Sequence, residues 1–435
     1  MRFVLSFRQL LFIFSISLGM TQSTIDSLYA KLNYIGEWNS YYLLNDAVNF
    51  EFVSRNGGID SLYFKEDSLL KPWVLPRLFR PILGQKTSHQ ALKNMENIKD
   101  AYAFIDNRSS LTFARYSKNK VAAVMEIKPQ FKSQIGGIIG STKDEKGEWV
   151  TTGEIDLHLE NTRKQGSLID LKWSQPNPKS RTLFFAIETP LTFGFPFGNL
   201  IIYKQDFLEE SFILESRSGL ITGLGPFGRW SMGGKREVGK DLNIDYQFES
   251  DAIIFGIKGD RRNNRWMPSK GKFWFFNFSL GKVTDNKGYR QVIEADFKLD
   301  QYQNQKWGAY RFLVHGGYVS MDGRELPKSK KVKLGGANTI RGYFDNQFSV
   351  DWFIIHTIEW LMGDLNNSQL FLFIDSPLAY EGLGDTFTSP QTIKLKSGYG
   401  VGFRQYTGRF TMDISVGFSK TSPGGKLHLK FASDL

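Results

Sequence analysis

Regular alternation of apolar and polar residues dominates the chain after about residue 131. In the segment 410–418 every second residue is apolar, and the residues between them are threonine, aspartate, serine and glycine. The segments 154–160, 274–280, 393–403 and 427–431 show the same alternation. Successive side chains of a strand point to opposite faces, so each segment predicts a strand with one apolar and one polar face. This pattern is typical of a soluble sandwich or of a membrane barrel.

The number of predicted strands separates these two folds. Strands are predicted to begin near residues 134, 150, 167, 181, 198, 210, 220, 249, 271, 289 and 307, and then near residues 351, 367, 392, 409 and 425. Eleven strands therefore precede a glycine-rich loop at 334–343, and five follow it. An even total of sixteen, with about ten residues a strand, favours a closed antiparallel transmembrane barrel over 131–435.

The region 58–130 has a different character and predicts a small α+β domain. Its predicted elements are a strand at 59–64, an irregular helix at 69–79, a second helix at 88–104, and two strands at 111–116 and 121–127 joined by a turn at 117–119. In the second helix Leu92, Met95, Ile98 and Tyr102 recur at three- and four-residue steps, which places them on one face. These apolar positions are expected to form the core of the domain.

The first residues resemble a secretory signal. Arg2 and Arg8 precede the apolar segment 10–18, and small and polar residues follow through Ser23. This order predicts a signal peptide over 1–22, followed by a short strand segment at 23–57. No later stretch offers some 18 consecutive apolar residues, so entry into a membrane is expected to use strands.

Composition agrees with a mainly β chain. Aromatic residues reach 15% and glycine numbers 42, a pairing that favours strands and tight turns. The formal charge of +11 comes from basic residues spread along the chain without a nucleic-acid motif, so no nucleic-acid partner is predicted. Cysteine is absent, which excludes disulfides and thiolate metal sites. We predict no metal and no cofactor.

The glycine-rich loop carries the candidate site. It reads Leu-Gly-Gly-Ala-Asn-Thr-Ile-Arg-Gly-Tyr, with Gly335, Gly336 and Gly342 around the single cation Arg341. Glycines allow the backbone conformations of a tightly folded tip. From these residues alone, a surface hairpin with a solvated arginine remains an alternative.

In this position, Ile340-Arg341-Gly342-Tyr343 resembles the Val-Arg-Gly-Phe/Tyr loop of the outer-membrane protein insertase superfamily. This bacterial surface antigen family includes BamA, TamA and the two-partner-secretion transporters. The segment 268–271 is similar to the family's Pro-x-x-Gly strand opening, and 397–404 resembles its glycine-rich penultimate hairpin. The resemblance implies a sixteen-stranded barrel in which this loop joins the eleventh and twelfth strands. It also implies that 58–130 is a POTRA-like periplasmic domain.

The resemblance further implies that the loop folds into the barrel, where Arg341 would pair with acidic groups on the inner wall. Alternation around Trp352, Ile354, Ile358 and Trp360 places Glu359 on the inward face, so Glu359 is one candidate partner.

Asp375 is the other candidate. It matches the family's Phe-x-Asp motif, but it shares its face with Phe371 and Phe373, so alternation does not show that it points inward. Pro377 stands where the family usually has glycine.

The function implied by the resemblance is assistance in inserting or translocating other proteins at the bacterial outer membrane, with the N-terminal domain in the periplasm. The partners would be the outer-membrane lipid bilayer and unfolded outer-membrane or secreted clients. The five histidines are scattered and no hydrolase arrangement is evident, so an enzyme is not predicted. The alternative is a passive channel or structural barrel that keeps the loop for its own folding.

Overall fold

The structure is a computed structural model in two compact units. It describes residues 33–34, 40–44, 49–54, 56–65, 69–117, 120–143, 149–177, 179–192, 195–243, 246–286, 288–322, 326–380, 392–393, 397–420 and 422–434, so the predicted signal peptide lies outside the described residues. One unit comprises Met1–Ile98 and Arg108–Lys128, and the other comprises Lys99–Asn107 and Pro129–Leu435. Within the described ranges, no helix is both long and apolar enough to cross a membrane.

The first unit contains a four-stranded sheet. The elements in chain order are β1 (Asn33–Tyr34), β2 (Ser40–Leu44), β3 (Phe50–Ser54), β4 (Ser61–Phe64), α1 (Val74–Leu78), a 3-10 helix (Arg80–Ile82), α2 (Ser88–Ala101), β5 (Ser110–Ser117) and β6 (Lys120–Glu126). The sheet order is β1-β5-β6-β4, and β4 runs parallel to β6. Strands β2 and β3 form a separate antiparallel pair.

Three details of this unit differ from the sequence prediction. The helix predicted at 69–79 is shorter, since α1 covers Val74–Leu78. Helix α2 ends at Ala101, earlier than the predicted residue 104. Leu92 was predicted to share a buried face with Met95 and Ile98, but it is exposed while Ala91 is fully buried. Ala91 is four residues before Met95 and fits the same helical stripe, so the smaller residue takes the core position. Of the predicted turn, residues 118–119 lie outside the described residues.

The second unit is a closed antiparallel barrel of sixteen long strands within the described ranges. Eleven precede the long loop: β7 (Gln134–Lys143), β8 (Trp149–Glu160), β9 (Leu168–Asn177), β10 (Ser180–Thr189), β11 (Gly198–Leu208), β12 (Phe212–Gly225), β13 (Gly228–Asp241), β14 (Tyr246–Asp260), β15 (Gly271–Asp285), β16 (Gly288–Gln305) and β17 (Gly308–Met321). The loop holds β18 (Val332–Leu334) and β19 (Phe348–Val350). After it come β20 (Trp352–Asp364), β21 (Ser368–Tyr380), the two-residue β22 (Thr392–Ile393), β23 (Gly398–Tyr406), β24 (Phe410–Ser419) and β25 (Ser422–Asp434). The predicted mainly β, sixteen-stranded fold is confirmed.

Two predicted strand starts were wrong. A strand was predicted to begin near residue 220, but β12 continues to Gly225 and the next strand begins at Gly228. Cross-strand pairing extends as far as Gly225 opposite Gly228, so the glycines inside β12 do not end it. The strand predicted from 392 begins at Gly398, while Thr392–Ile393 pairs separately with the end of β21.

The outer wall of the barrel is apolar, as alternation predicted. Leu427, Leu429 and Phe431 on β25 are 69%, 53% and 52% exposed, as are Ile221 and Ile253 to similar degrees. The residues between them face the interior, which is the lumen. Strands β12, β14 and β25 therefore turn apolar residues outward and a mixed face into the lumen.

The junction that closes the barrel is short. Among the described residues, strands β25 and β7 are joined by two residue pairs, Ser433 with Ile135 and Asp434 with Gln134. By comparison, β7 and β8 share ten residue pairs. We call this junction the seam. Most residues of β25 and of β7 lie outside these two pairs.

Candidate functional site

The loop between β17 and β20 has a tightly folded tip. Strands β18 and β19 pair as a short ribbon, and residues 335–347 form the tip. Gly335, Gly336 and Gly342 have φ values of 117°, 86° and 91°, a region that other residues rarely adopt. Thr339 closes the turn, because its hydroxyl accepts a hydrogen bond from the Gly335 amide at 2.8 Å.

The apolar residues of the tip are buried against the wall. Ile340 and Tyr343 belong to a buried cluster that includes Phe353 and Ile355 of β20 and Ala379 of β21. Since Phe353 and Ile355 face the lumen, this cluster places the tip inside the barrel. An ordinary surface hairpin would leave Ile340 and Tyr343 in solvent.

Arg341 reaches two carboxylates on the inner wall. Its Nε and Nη2 donate to the two oxygens of Asp375 at 2.9 and 2.8 Å, and its Nη1 donates to Glu359 Oε1 at 2.7 Å. The backbone amide of Arg341 also donates to Asp375 Oδ2 at 3.0 Å. The Thr357 hydroxyl donates to Asp375 Oδ1 at 2.8 Å. A two-pronged arginine–carboxylate contact fixes orientation as well as charge, so the tip has one defined position.

The inward direction of Asp375 follows from its aromatic neighbours. Phe371 and Phe373 also face the lumen, and there the glycines opposite them on β23 make room for the rings. A Cβ on Gly400 would meet the Phe373 ring at 2.9 Å, and a Cβ on Gly402 would come closer still to the Phe371 ring. The guanidinium of Arg341 lies 3.5 Å from the centre of the Phe373 ring. The Phe-x-Asp segment thus supplies both a carboxylate and a flat aromatic surface to the arginine.

Two more arginines surround Glu359, which is fully buried. Arg311 Nη1 lies 3.1 Å from Glu359 Oε1, and Arg404 Nη2 lies 3.9 Å from the other oxygen. Arg311 is held in turn by Asp300 at 2.8 and 3.0 Å, and Arg404 Nε by Asp413 at 2.9 Å. The sequence prediction missed this network. The network could have been predicted from the position of Arg311 directly opposite Glu359. That position is known only once the register between strands β17 and β20 is known.

A second contact holds the base of the loop to another part of the wall. The Lys330 amine donates to Glu294 Oε1 of β16 at 2.6 Å and to Glu237 of β13. The Lys328 amide donates to Asp241 Oδ2 at 3.0 Å. Burial lowers the pKa of Lys330, but Glu294 and Glu237 outweigh it, and the net pKa is raised. Lys330 therefore stays charged and the loop is fixed at both ends of residues 330–341.

Substitution of Gly417 on β24 tests whether the tip needs its close contact with this strand. A Cβ at Gly417 would lie 2.5 Å from the Gly342 amide nitrogen. We expect Gly417→Ala to displace the tip and to lower the free energy of unfolding by about 1–3 kcal/mol, the usual cost of overpacking. The measurement is chemical unfolding of the refolded protein, together with protease cleavage within residues 335–347.

The matched control is Gly219→Ala on β12, where an added Cβ has nothing within 4 Å. This variant should unfold and resist protease like the parent protein. Equal stability of the two variants would show that the tip does not depend on contact with β24.

Comparison with known proteins rests on structure. No family model and no curated protein match the sequence. BamA from Haemophilus ducreyi lacking POTRA domains 1–3 matches with a TM-score of 0.52 at 13% identity, covering 95% of this chain and 92% of that one. CdiB from Acinetobacter baumannii matches with a TM-score of 0.57 at 12% identity, covering 100% and 88%. The chain has the fold of BamA and CdiB.

A second CdiB, from Escherichia coli, has a TM-score of 0.60 at 11% identity and covers 95% of this chain and 83% of its own. The expected resemblance to the fold of BamA is therefore confirmed. In this BamA- and CdiB-like barrel, the loop with Arg341 follows the eleventh strand and precedes the twelfth.

Proposed function

We propose that this chain is an outer-membrane barrel that assists the insertion or translocation of other proteins. In this proposal the first unit is a POTRA-like domain in the periplasm, and the loop with Arg341 is a lumen motif that holds the barrel in its folded form. The chain would act without catalytic chemistry. The fold of BamA and CdiB and the resemblance of residues 340–343 to the insertase loop support this assignment.

The outer wall supports a membrane location. Ile201, Ile221, Ile253 and Leu429 are each more than half exposed and lie on different strands of the barrel. Apolar surface repeated around a barrel is stable in a bilayer and costly in water. The partner of this surface is therefore the hydrocarbon of the outer membrane.

The observation that carries the proposed function is the seam. With two residue pairs between β25 and β7, most of each strand lies beyond the shared register, within the described part of the chain. Strand edges are templates for the addition of another strand. A client strand could pair at the seam while the other strand junctions, which share longer registers, keep the barrel closed.

The first unit offers a second strand edge. Its sheet order leaves β4 as an edge strand, with β6 as its one neighbour in the described sheet. Clients or partner proteins could add a strand beside β4 in the same manner. This contact would bring an extended polypeptide to the protein before it reaches the membrane.

Depletion of the protein in its native host should test this function. We expect particular outer-membrane or secreted proteins to fall in abundance while other membrane proteins stay unchanged, because only clients need the seam. Quantitative proteomics of the outer membrane and of the secreted fraction measures this change, and re-expression of the parent chain should restore the profile. An unchanged protein profile with altered solute permeability would instead indicate a passive channel.

A further inference from the structure

The lumen contains a polar cavity of about 230 Å³ beside the loop tip. Its volume is far above the ~10–15 Å³ that one water molecule requires. The charged groups that line it are five cations and three carboxylates: Lys298, Arg311, Arg341, Arg404 and Lys430, with Glu359, Asp375 and Asp413. Cations exceed carboxylates by two among the lining residues, and by one when Asp300, which pairs with Arg311, is counted with them.

The three carboxylates are already committed to arginines. Glu359 and Asp375 accept hydrogen bonds from Arg341 at 2.7–2.9 Å. Asp413 accepts one from Arg404 at 2.9 Å. Arginine matches carboxylate geometry with a rigid set of donors, so it holds these acids in preference to a lysine. The excess positive charge therefore resides on the lysines.

Lys298 has two acidic neighbours on its own strand face, and both are engaged elsewhere. Asp300 is bound by Arg311 at 2.8 and 3.0 Å, and Asp296 lies 3.2 Å from His315 Nε2. Among the described residues, Lys298 makes no ion pair within 4 Å. Its amine is thus a charge without a carboxylate at the cavity wall.

Lys430 is in the same situation across the cavity. Its cross-strand neighbour is Asp413, which Arg404 holds. The Lys430 amine donates instead to the side-chain oxygen of Asn338 in the loop tip. Within the described ranges, Lys430 also makes no ion pair.

We propose that this cavity is an oxyanion-binding site in which Lys298 and Lys430 bind a phosphate or carboxylate group. Two ammonium groups without carboxylate partners attract an anion more strongly in a partly enclosed lumen than in bulk water. The ligand is either a free phosphate ion or the carboxylate of a small molecule or peptide. This site does not depend on client handling and would stand if the proposed function failed.

The test uses the full chain, refolded in detergent, and its thermal midpoint followed by tryptophan fluorescence. Sodium phosphate and sodium acetate are titrated separately, with sodium chloride at matched ionic strength as the reference. We expect a saturable rise of the midpoint with one or both oxyanions. Saturation by phosphate alone identifies phosphate as the ligand class, and saturation by acetate identifies carboxylates.

The variant Lys298→Gln with Lys430→Gln should raise the half-saturating concentration by at least about tenfold, a loss of about 1.4 kcal/mol. The conservative variant Lys298→Arg with Lys430→Arg should retain binding, which separates lost charge from lost folding.

The matched control is Lys204→Gln. Lys204 of β11 lies against the Phe184 ring of β10 and does not line the cavity, so this change removes a lysine charge elsewhere in the barrel. It should bind like the parent protein. A midpoint that responds to both oxyanions as it does to chloride, or an equal response in the parent and the double glutamine variant, would overturn the proposal.

Discussion

Replacing Arg341 with alanine is expected to lower the free energy of unfolding of the barrel by about 3–5 kcal/mol. The substitution would leave Glu359 and Asp375, 0% and 1% exposed, as buried carboxylates without their bound arginine. Arg311 still contacts Glu359, so the greater loss falls on Asp375, which accepts three of the four hydrogen bonds from Arg341. Heat-modifiable mobility on a gel and chemical unfolding of the refolded protein measure this loss.

Two further variants identify the cause. Arg236→Ala removes an arginine whose pair with Glu249 is more than half exposed on both sides, and such a pair contributes about 0–1 kcal/mol. The triple variant Arg341→Ala with Glu359→Gln and Asp375→Asn removes the uncompensated charges and should recover part of the loss. If Arg341→Ala were as stable as Arg236→Ala, the ion pairs of the tip would not stabilise the barrel.

Joining the seam covalently is expected to abolish client handling while leaving the barrel folded. Ile135 and Ser433 are opposite each other across the seam, so Ile135→Cys with Ser433→Cys places two thiols on paired residues. Paired residues of antiparallel strands lie about 4.5–5.5 Å apart, which is within the range of a disulfide. The chain has no other cysteine, so a single bond can form. Under oxidising conditions, the abundance of client proteins should fall to the level seen when the protein itself is depleted. Addition of a reductant should restore it.

A matched disulfide within the closed part of the barrel is the control. Ile414 and Leu429 are register partners on β24 and β25, a junction with a long shared register. Ile414→Cys with Leu429→Cys should form a bond and keep client handling. If the two disulfides had the same effect, opening at the seam would not be the basis of activity.

Much of the barrel could be predicted because the two faces of a barrel strand have different surroundings, which produces an alternation of apolar and polar residues along the sequence. The outward faces, the total of sixteen strands and the position of the loop after the eleventh all follow from period-two alternation. Alternation also placed Glu359 on the inward face. It failed for Asp375, because the inward face of β21 carries Phe371 and Phe373 and so looks apolar in sequence.

The rest of the site required information that single strands do not contain. Arg311 meets Glu359 through the register between β17 and β20, and register depends on pairing partners. The space for the tip depends on Gly398 and Gly417 of the paired strands β23 and β24, and these glycines approach residues 341–342 only once the loop is folded into the lumen. The exposed Leu92 shows the corresponding limit for a helix, since two apolar residues competed for one stripe.

The two contacts of the loop have a mechanical consequence for the barrel. Lys330 ties β13 and β16 to one end of a short chain segment, and Arg341 ties β20 and β21 to the other. The segment 330–341 therefore links strands β13 and β16 directly to β20 and β21 across the lumen. The seam between β25 and β7 is not among the strand junctions that lie between these linked strands. A barrel wall that is cross-linked in this way keeps its curvature when two strands separate elsewhere. The segment 330–341 would therefore allow β25 and β7 to separate at the seam while the other strands stay paired in the barrel.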